Sequence, residues 1–140
     1  MNFEVKRIFE HNIEQIMNLF TSAGFSINET NERFFNNNNN ILIVATSDNT
    51  PYGFLYAYLL ESIDSARNKM FLYSIDVFSE FQQKGVGVAL IEELKQIAIN
   101  KHCSEIFVFT NDSNYGAKKL YEKTGGLREN PDDVMYVYPL

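Results

Sequence analysis

Met70-Phe71-Leu72-Tyr73-Ser74-Ile75-Asp76-Val77-Phe78, followed after Ser79-Glu80-Phe81 by Gln82-Gln83-Lys84-Gly85-Val86-Gly87 and then Val88-Ala89-Leu90-Ile91-Glu92-Glu93-Leu94-Lys95-Gln96-Ile97-Ala98, is the stretch that decides the fold. Its first part is aromatic and β-branched, as a strand requires. Its last part places Leu90, Ile91, Leu94, Ile97 and Ala98 at helical spacing on one face. The glycines therefore sit at a strand-to-helix turn. A helix start leaves its first N–H groups without partners and carries the positive end of the peptide dipoles, so it attracts phosphate. Glycine lets a bulky anion approach those groups without meeting a Cβ, and Lys84 adds a full positive charge. A Walker loop spaces its glycines more widely and follows them with Lys-Ser/Thr, and a dinucleotide fingerprint carries a further glycine. Neither pattern is present.

Working outward, residues 3–9 alternate as an opening strand, and Asn12 is placed to cap a helix running to Ala23 and ended by Gly24. A shorter helix is expected over 28–35, broken by the asparagine tract 36–40, which reads as a surface loop. Residues 41–46 and 52–60 pair as a hairpin across Asp48-Asn49-Thr50-Pro51. Beyond the long helix, which should end near Lys101, residues 105–110 form a short strand. Strand, helix and strand at this spacing make a crossover unit with parallel, adjacent strands. A helix over 114–124 closes on Gly125-Gly126, and 133–139 alternates as a last strand.

The chain has 140 residues, 45% hydrophobic and 14% aromatic, enough for a core in one domain covering 1–140. The single Cys103 has no partner for an internal disulfide, is expected to be a buried small residue, and suits a reducing cytoplasm. Early charges, among them Glu4, Lys6, Arg7 and Glu10, break any signal-peptide core, and no apolar run reaches the ~20 residues of a membrane span. A net charge of −6 argues against nucleic acid as the main partner; an acidic surface suits a cationic small molecule, and it equally serves solubility alone.

A second motif accompanies the glycine turn: Asn114-Tyr115-Gly116-Ala117-Lys118-Lys119-Leu120-Tyr121, closed by Gly125. Asn114 and Tyr121 lie about two helical turns apart on one face with the small Ala117 between them. Each has a plainer reading, Asn114 as a helix cap and Tyr121 as core packing. Together the two motifs resemble the GNAT superfamily of acyl-CoA-dependent N-acyltransferases. The resemblance implies an α/β (α+β) domain whose mixed, mostly antiparallel sheet has roughly six or seven strands, helices on both faces, and a central parallel pair splayed around an acetyl-CoA cleft. It implies acetyl-CoA as co-substrate without a metal, held by Gln82, Gln83, Lys84, Gly85, Val86, Gly87, Val88, Asn114 and Ala117. Tyr121 is then the acid that protonates the leaving thiolate, and the Val77 N–H meets the oxyanion.

An amine must lose a proton before it attacks a thioester, which calls for a carboxylate acting directly or through water. Asp76, beside Ser74 on the face opposite Ile75 and Val77, is the first choice. A hydrogen bond to a neighbouring loop is its alternative role. Glu61, Asp132 and Asp133 are further candidates for attracting a cation. Within the superfamily the chain is similar to aminoglycoside 3-N-acetyltransferases from about Tyr52 to Tyr138. It departs from them at Tyr73-Ser74, where Tyr-Asp is usual, and at Gly87. The expected acceptor is an amine of a small cation, aminoglycoside or polyamine. A peptide amine, or a non-catalytic CoA-binding module, is the competing reading. Members of the superfamily are often homodimers; Tyr136 and Tyr138 could supply an interface or could be sheet core.

Overall fold

The computed structural model describes residues 2–140. Five strands order themselves as they come in the chain: β1 (Glu4–Ile8), β2 (Asn40–Ser47), β3 (Thr50–Leu60), β4 (Asn68–Val77) and β5 (Cys103–Phe107). The first four pair antiparallel and β4 pairs parallel with β5. Helix α2 (Val86–Asn100) forms the crossover between the parallel strands, α1 (Ile13–Ser22) follows β1, and α3 (Tyr115–Lys123) follows β5.

The β2–β3 hairpin turns on Asp48 and Asn49, with φ of 51° and 66°. Asp and Asn tolerate the left-handed region better than most residues, and two such residues in a row give a turn whose twist matches the strands. Asn12 caps α1 by accepting from the Gln15 N–H at 2.9 Å. Leu19, Leu42, Val44, Phe54 and Phe78 form one core on the α1 side of the sheet. Ile41, Ile43, Leu55, Met70, Leu72, Val86, Leu90 and Leu94 form the larger one under α2. Helices therefore lie on both faces, as expected.

Three expectations are corrected. The segment 28–35 is not an α-helix: a single 3-10 turn, Glu32–Asn36, takes its place, capped by Asn31. Asparagine side chains mimic backbone turns, and here Asn37 accepts from the Asn39 N–H at 2.9 Å while Asn40 Nδ2 donates to the Phe34 carbonyl, so the tract is a built turn leading into β2. The strand count is five among the described residues, not six or seven. The shortfall is residues 133–139, which pair with nothing and lie exposed.

Two irregularities shape β4. Tyr56 opposes Ser74 while Ala57 opposes Leu72, so Tyr73 is an extra, bulged residue. The bulge shifts the alternation: Met70 and Leu72 before it and Ile75 and Val77 after it all face the α2 core. Further along, a Cβ at Gly53 would stand 2.6 Å from the Asp76 carbonyl oxygen, so glycine is what lets β3 approach the end of β4. Gly53→Ala should lower the urea unfolding stability by about 1–3 kcal/mol, the usual cost of overpacking. An unchanged midpoint would show that β3 can retreat freely.

Candidate active site

Parallel pairing between β4 and β5 ends at Phe71 and Phe107, whose rings stack with centroids 4.8 Å apart. β4 runs on to Val77 with no strand on that edge. The Phe78 N–H donates to the Tyr52 carbonyl at 2.9 Å, toward β3. Because the N–H groups of a strand alternate in direction, the Val77 N–H points the other way, into the gap beyond β5. The gap is thus lined on one side by backbone that no neighbouring strand pairs.

Helix α2 begins at the end of that gap. Gly85 is its N-cap in the left-handed region, at φ 85°, and a Cβ there would meet nothing within 4 Å. No side chain caps α2 and no acid lies in its first turn, whereas Asn12 caps α1 and Asn114 caps α3. The first intrahelical bond runs from the Ala89 N–H to the Gly85 carbonyl, leaving the N–H groups of Val86, Gly87 and Val88 without helical partners. Gln82, Gln83, Lys84 and Gly85 are exposed beside them. Gln83 takes a positive φ of 58°. The Gln82 amide donates to the Val77 carbonyl at 3.1 Å, tying the loop to the end of β4.

Gly87 has a different job from Gly85. A Cβ on it would come within 3.0 Å of Leu120 and 3.6 Å of Val77, so its absence lets α3 dock on the start of α2. Helix α3 is fixed at its other end by a Schellman motif. The Gly126 N–H donates to the Tyr121 carbonyl at 2.7 Å and the Gly125 N–H to Glu122 at 3.1 Å, with Gly125 at φ 96°. Lys95 of α2 donates to the Thr124 carbonyl as well. Tyr121 is thereby held, half-buried, against the α2-side core. Burial, then the charge of Asp76, pushes its phenol pKa above the ordinary value. The charge of Asp76, at the end of β4, is thus felt at the Tyr121 phenol.

Asp76 approaches from the opposite face, opposing Phe54 across the β3–β4 ladder, and accepts from the Ser74 hydroxyl at 3.4 Å. Burial raises its carboxyl pKa, partly offset by the Ser74 hydrogen bond. Asn114 uses its side-chain oxygen to accept from the Ala117 N–H at 3.1 Å, the capping role, which leaves its amide nitrogen free to donate. Glu61 follows β3 at the end where Leu60 opposes Lys69, so it stands at the far end of β4 from Asp76, roughly 20 Å along a strand. Asp132 and Asp133 lie in the exposed last segment, outside any helix or strand.

Sequence reasoning missed the aromatic surface beside Asp76. Tyr56, Tyr58 and Tyr73 form a cluster with centroids 5.3 to 6.2 Å apart, continued by Phe71, Phe107 and Phe109. The Tyr56 phenol is pushed up to about 12 by burial first, then by its neighbours Tyr58, Tyr73 and Asp76. The signal was the alternation of Tyr56 and Tyr58 in β3, legible as a shared face but not as an open one. A separate concavity of about 280 Å³ between α1 and the β2–β3 turn, lined by Asn12, Gln15, Leu19, Thr46 and Pro51, contains no residue of either motif. Among the described residues no trio of His, Cys, Asp or Glu could hold a metal, and no helix is long and apolar enough to cross a membrane.

Residues 7–126 match the Acetyltransferase (GNAT) family, and the chain belongs to it. Over 73 residues it is 30% identical to the thialysine N-epsilon-acetyltransferase of Mus musculus, a match covering 52% of this chain and 42% of that one. The matched part is thus less than half of that relative's length. A crystal structure of an aminoglycoside acetyltransferase, meta-AAC0020, from an uncultured soil metagenomic sample in complex with sisomicin superposes with a TM-score of 0.88 at 26% identity, covering 99% of this chain and 96% of that one. AAC(6')-Iy in complex with a CoA bisubstrate analog superposes with a TM-score of 0.79 at 18% identity over 100% and 99% of the two chains, a likeness of fold.

Burying the Asp76 carboxylate has a stability consequence whose sign is fixed. Its pKa is raised in the folded state, so between its ordinary value near ~4 and the folded value the native chain binds more protons than the unfolded one. Stability therefore falls as pH rises through that window, and the loss is complete above the folded pKa. Asp76→Asn should be more stable than the parent at pH 7, with the difference vanishing as pH falls toward ~4. Urea midpoints across pH measure it; a parent that is the more stable at pH 7 would mean the carboxylate is a structural partner instead.

Proposed function

We propose that the chain is an acetyl-CoA-dependent N-acetyltransferase that moves the acetyl group directly to a primary amine of a small cation. The observation that carries this reading is the uncapped, acid-free start of α2 set at the end of the gap between β4 and β5. The N–H groups of Val86, Gly87 and Val88, with Lys84 alongside, suit a diphosphate. Gln82 and Gln83 set the shape of that loop, and Asn114 offers its amide nitrogen, with Ala117 small beside it, to an extended pantetheine arm. Bound there, acetyl-CoA would supply an activated thioester to the gap.

The residues of the chain divide the remaining work. Asp76, its pKa raised by burial, takes the proton of the incoming ammonium directly or through water. The amine nitrogen then bonds to the thioester carbon, and the Val77 N–H stabilises the oxyanion. As the carbon–sulfur bond breaks, Tyr121, protonated throughout the neutral range, gives its proton to the thiolate. Nitrogen loses two protons in all, the first to Asp76 before attack and the second from the tetrahedral adduct; one balances the proton that Tyr121 gives to sulfur and restores the phenol, and the other leaves to solvent. Tyr56, Tyr58 and Tyr73 offer π faces to a cation on the Asp76 side.

Two likenesses support an amine acceptor: one relative is named for a lysine analogue and one structure is an aminoglycoside acetyltransferase bound to sisomicin. Aminoglycoside or polyamine is the reading adopted, with 3-N-acetylation the position favoured by the motif likeness. Ser74 stays with this acceptor side, through its bond to Asp76. Thiol release from acetyl-CoA is expected to rise with kanamycin, gentamicin or spermidine. If CoA binds and no amine accelerates release, the chain is a binding module. Tyr121→Phe should lower turnover about 100-fold with little change in acetyl-CoA affinity; equal turnover removes Tyr121 from the acid role. Lys84→Glu, on an exposed residue, should weaken acetyl-CoA binding while leaving the unfolding midpoint in place; unchanged affinity would overturn the diphosphate assignment.

A further inference from the structure

Between α1 and the β2–β3 turn lies the concavity of about 280 Å³, and its place follows from how the helix meets the sheet. Leu19 and Phe20 seat the second half of α1, with the Phe20 and Phe54 rings 5.3 Å apart. The first half faces a corner where the ladder slips between Ala45 and Thr46, and where Thr46 opposes Pro51, which has no N–H to give. A hollow remains between them. Val44 in its lining opposes Phe54, and Phe54 opposes Asp76, so the hollow stands two strands, roughly 10 Å, from that carboxylate. Phe54 is fully buried in between and keeps the two places apart.

Leu19 and Val44, each 1% exposed, form an apolar base together with Pro51. Around it stand four carboxamides, Asn12, Gln15, Asn18 and Asn49, with the Thr46 hydroxyl and the Glu14 carboxylate. Among the described residues only one of these six side chains bonds another protein group: Asn12, whose Oδ1 accepts from the Gln15 N–H at 2.9 Å to cap α1. The others keep their full hydrogen-bonding capacity. No lysine or arginine lines the hollow, and Glu14 has no ion-pair partner among the described residues. An anion therefore finds nothing to hold it. An ammonium can only donate, which would leave the carboxamide N–H groups unmatched. A hydroxyl both donates and accepts, as a carboxamide does, and a carboxylate can accept from two neighbouring hydroxyls.

We propose that this hollow is a binding site for a small neutral polyol of monosaccharide size, separate from the gap where acetyl transfer is placed. Its volume of about 280 Å³ lies just under the ~300 Å³ at which pockets for drug-sized ligands begin, so the occupant is a single ring rather than a chain of them. The carboxamides of α1 and of Asn49 meet the ring hydroxyls from two sides, Glu14 accepts from a neighbouring pair, and the carbon-bound hydrogens rest on Leu19, Val44 and Pro51. No aromatic ring lines the hollow to stack on the sugar face, so binding is in the millimolar range. A bound polyol bridges α1 and the β2–β3 turn.

The test is titration of the isotope-labelled full chain with D-glucose, myo-inositol, spermidine and inorganic phosphate, followed through backbone amide chemical shifts with and without CoA. The expected result is saturable shifts from glucose or inositol at Gln15, Asn18, Thr46 and Asn49, unchanged by CoA, and none there from spermidine or phosphate. Gln15→Met and Thr46→Val keep the shape and remove hydrogen-bonding groups. Each should weaken the polyol about 5-fold, the contribution of one hydrogen bond, with the dispersion of the spectrum retained. Shifts that never saturate and spread over the whole surface would be a solvent effect of the polyol and overturn the site. Polyol binding of parental strength in both variants overturns it too, as does saturable binding of spermidine or phosphate in place of the polyols. None of these readouts depends on activity, so failure here leaves the acetyl-transfer proposal standing.

Discussion

A strand that outruns its neighbour is the constraint on which the rest of the structure depends. β4 bonds to β5 only as far as Phe71 and then continues to Val77 alone on that edge. Backbone N–H and C=O groups buried without partners are costly, so a protein keeps such an edge only where water or a ligand can reach it. The Tyr73 bulge makes the arrangement workable. By inserting one residue it keeps Ile75 and Val77 in the α2 core, where straight alternation after Leu72 would have put Ser74 and Asp76. The carboxylate is thus turned to the face that α2 does not cover.

The start of α2 meets two demands at once. A missing cap costs a helix about 1 kcal/mol, and α2 forgoes both a side-chain cap and an acidic first turn. Burial of Val86, Leu90, Ile91, Leu94 and Ala98 offsets this, since each large aliphatic side chain taken from water contributes about 1.5–3 kcal/mol. The packing holds the helix in place so that its first turn can stay bare. Gly87 belongs to the packing and Gly85 to the turn, although the sequence presents them as one motif. α3 closes onto this base through Leu120, and the Gly125-Gly126 cap then sets the height of Tyr121.

Much of this was legible in the chain, for reasons that also explain what was not. The strand, glycine turn and helix at 70–98 announce themselves because the period changes from two to about 3.6 across a pair of glycines. The hairpin at Asp48-Asn49 and the caps at Asn12 and Asn114 are local chemistry, written where they act. Tyr121 and Asp76 were legible as candidates; Tyr121 packs against the α2-side core, and Asp76 opposes Phe54 near the end of β4. Glu61 was misplaced because nearness in sequence does not say which end of a strand a residue will occupy. The position of the bulge at Tyr73 was not legible, because Ser74 and Asp76 share a face with or without it. For residues 133–139 alternation reported apolar residues on both faces, yet the segment lies exposed and outside the sheet, because pattern alone does not supply a strand to pair with.

The two faces of the gap differ in what they can hold, and this bears on direct transfer. On the α2 side lie the bare helix start and Lys84, suited to an anion. On the other lie Asp76 and the tyrosines of β3 and β4, suited to a cation. The sheet between them is a wall of hydrogen-bonded backbone, broken only where β5 has stopped. An acyl donor and an amine held on opposite faces can meet only at that break, beside Val77, so binding itself supplies the alignment that two-substrate transfer needs. On the proposed reading no group on the protein would have to carry the acetyl between them, and a net charge of −6 would favour the cation while local dipoles held the anion.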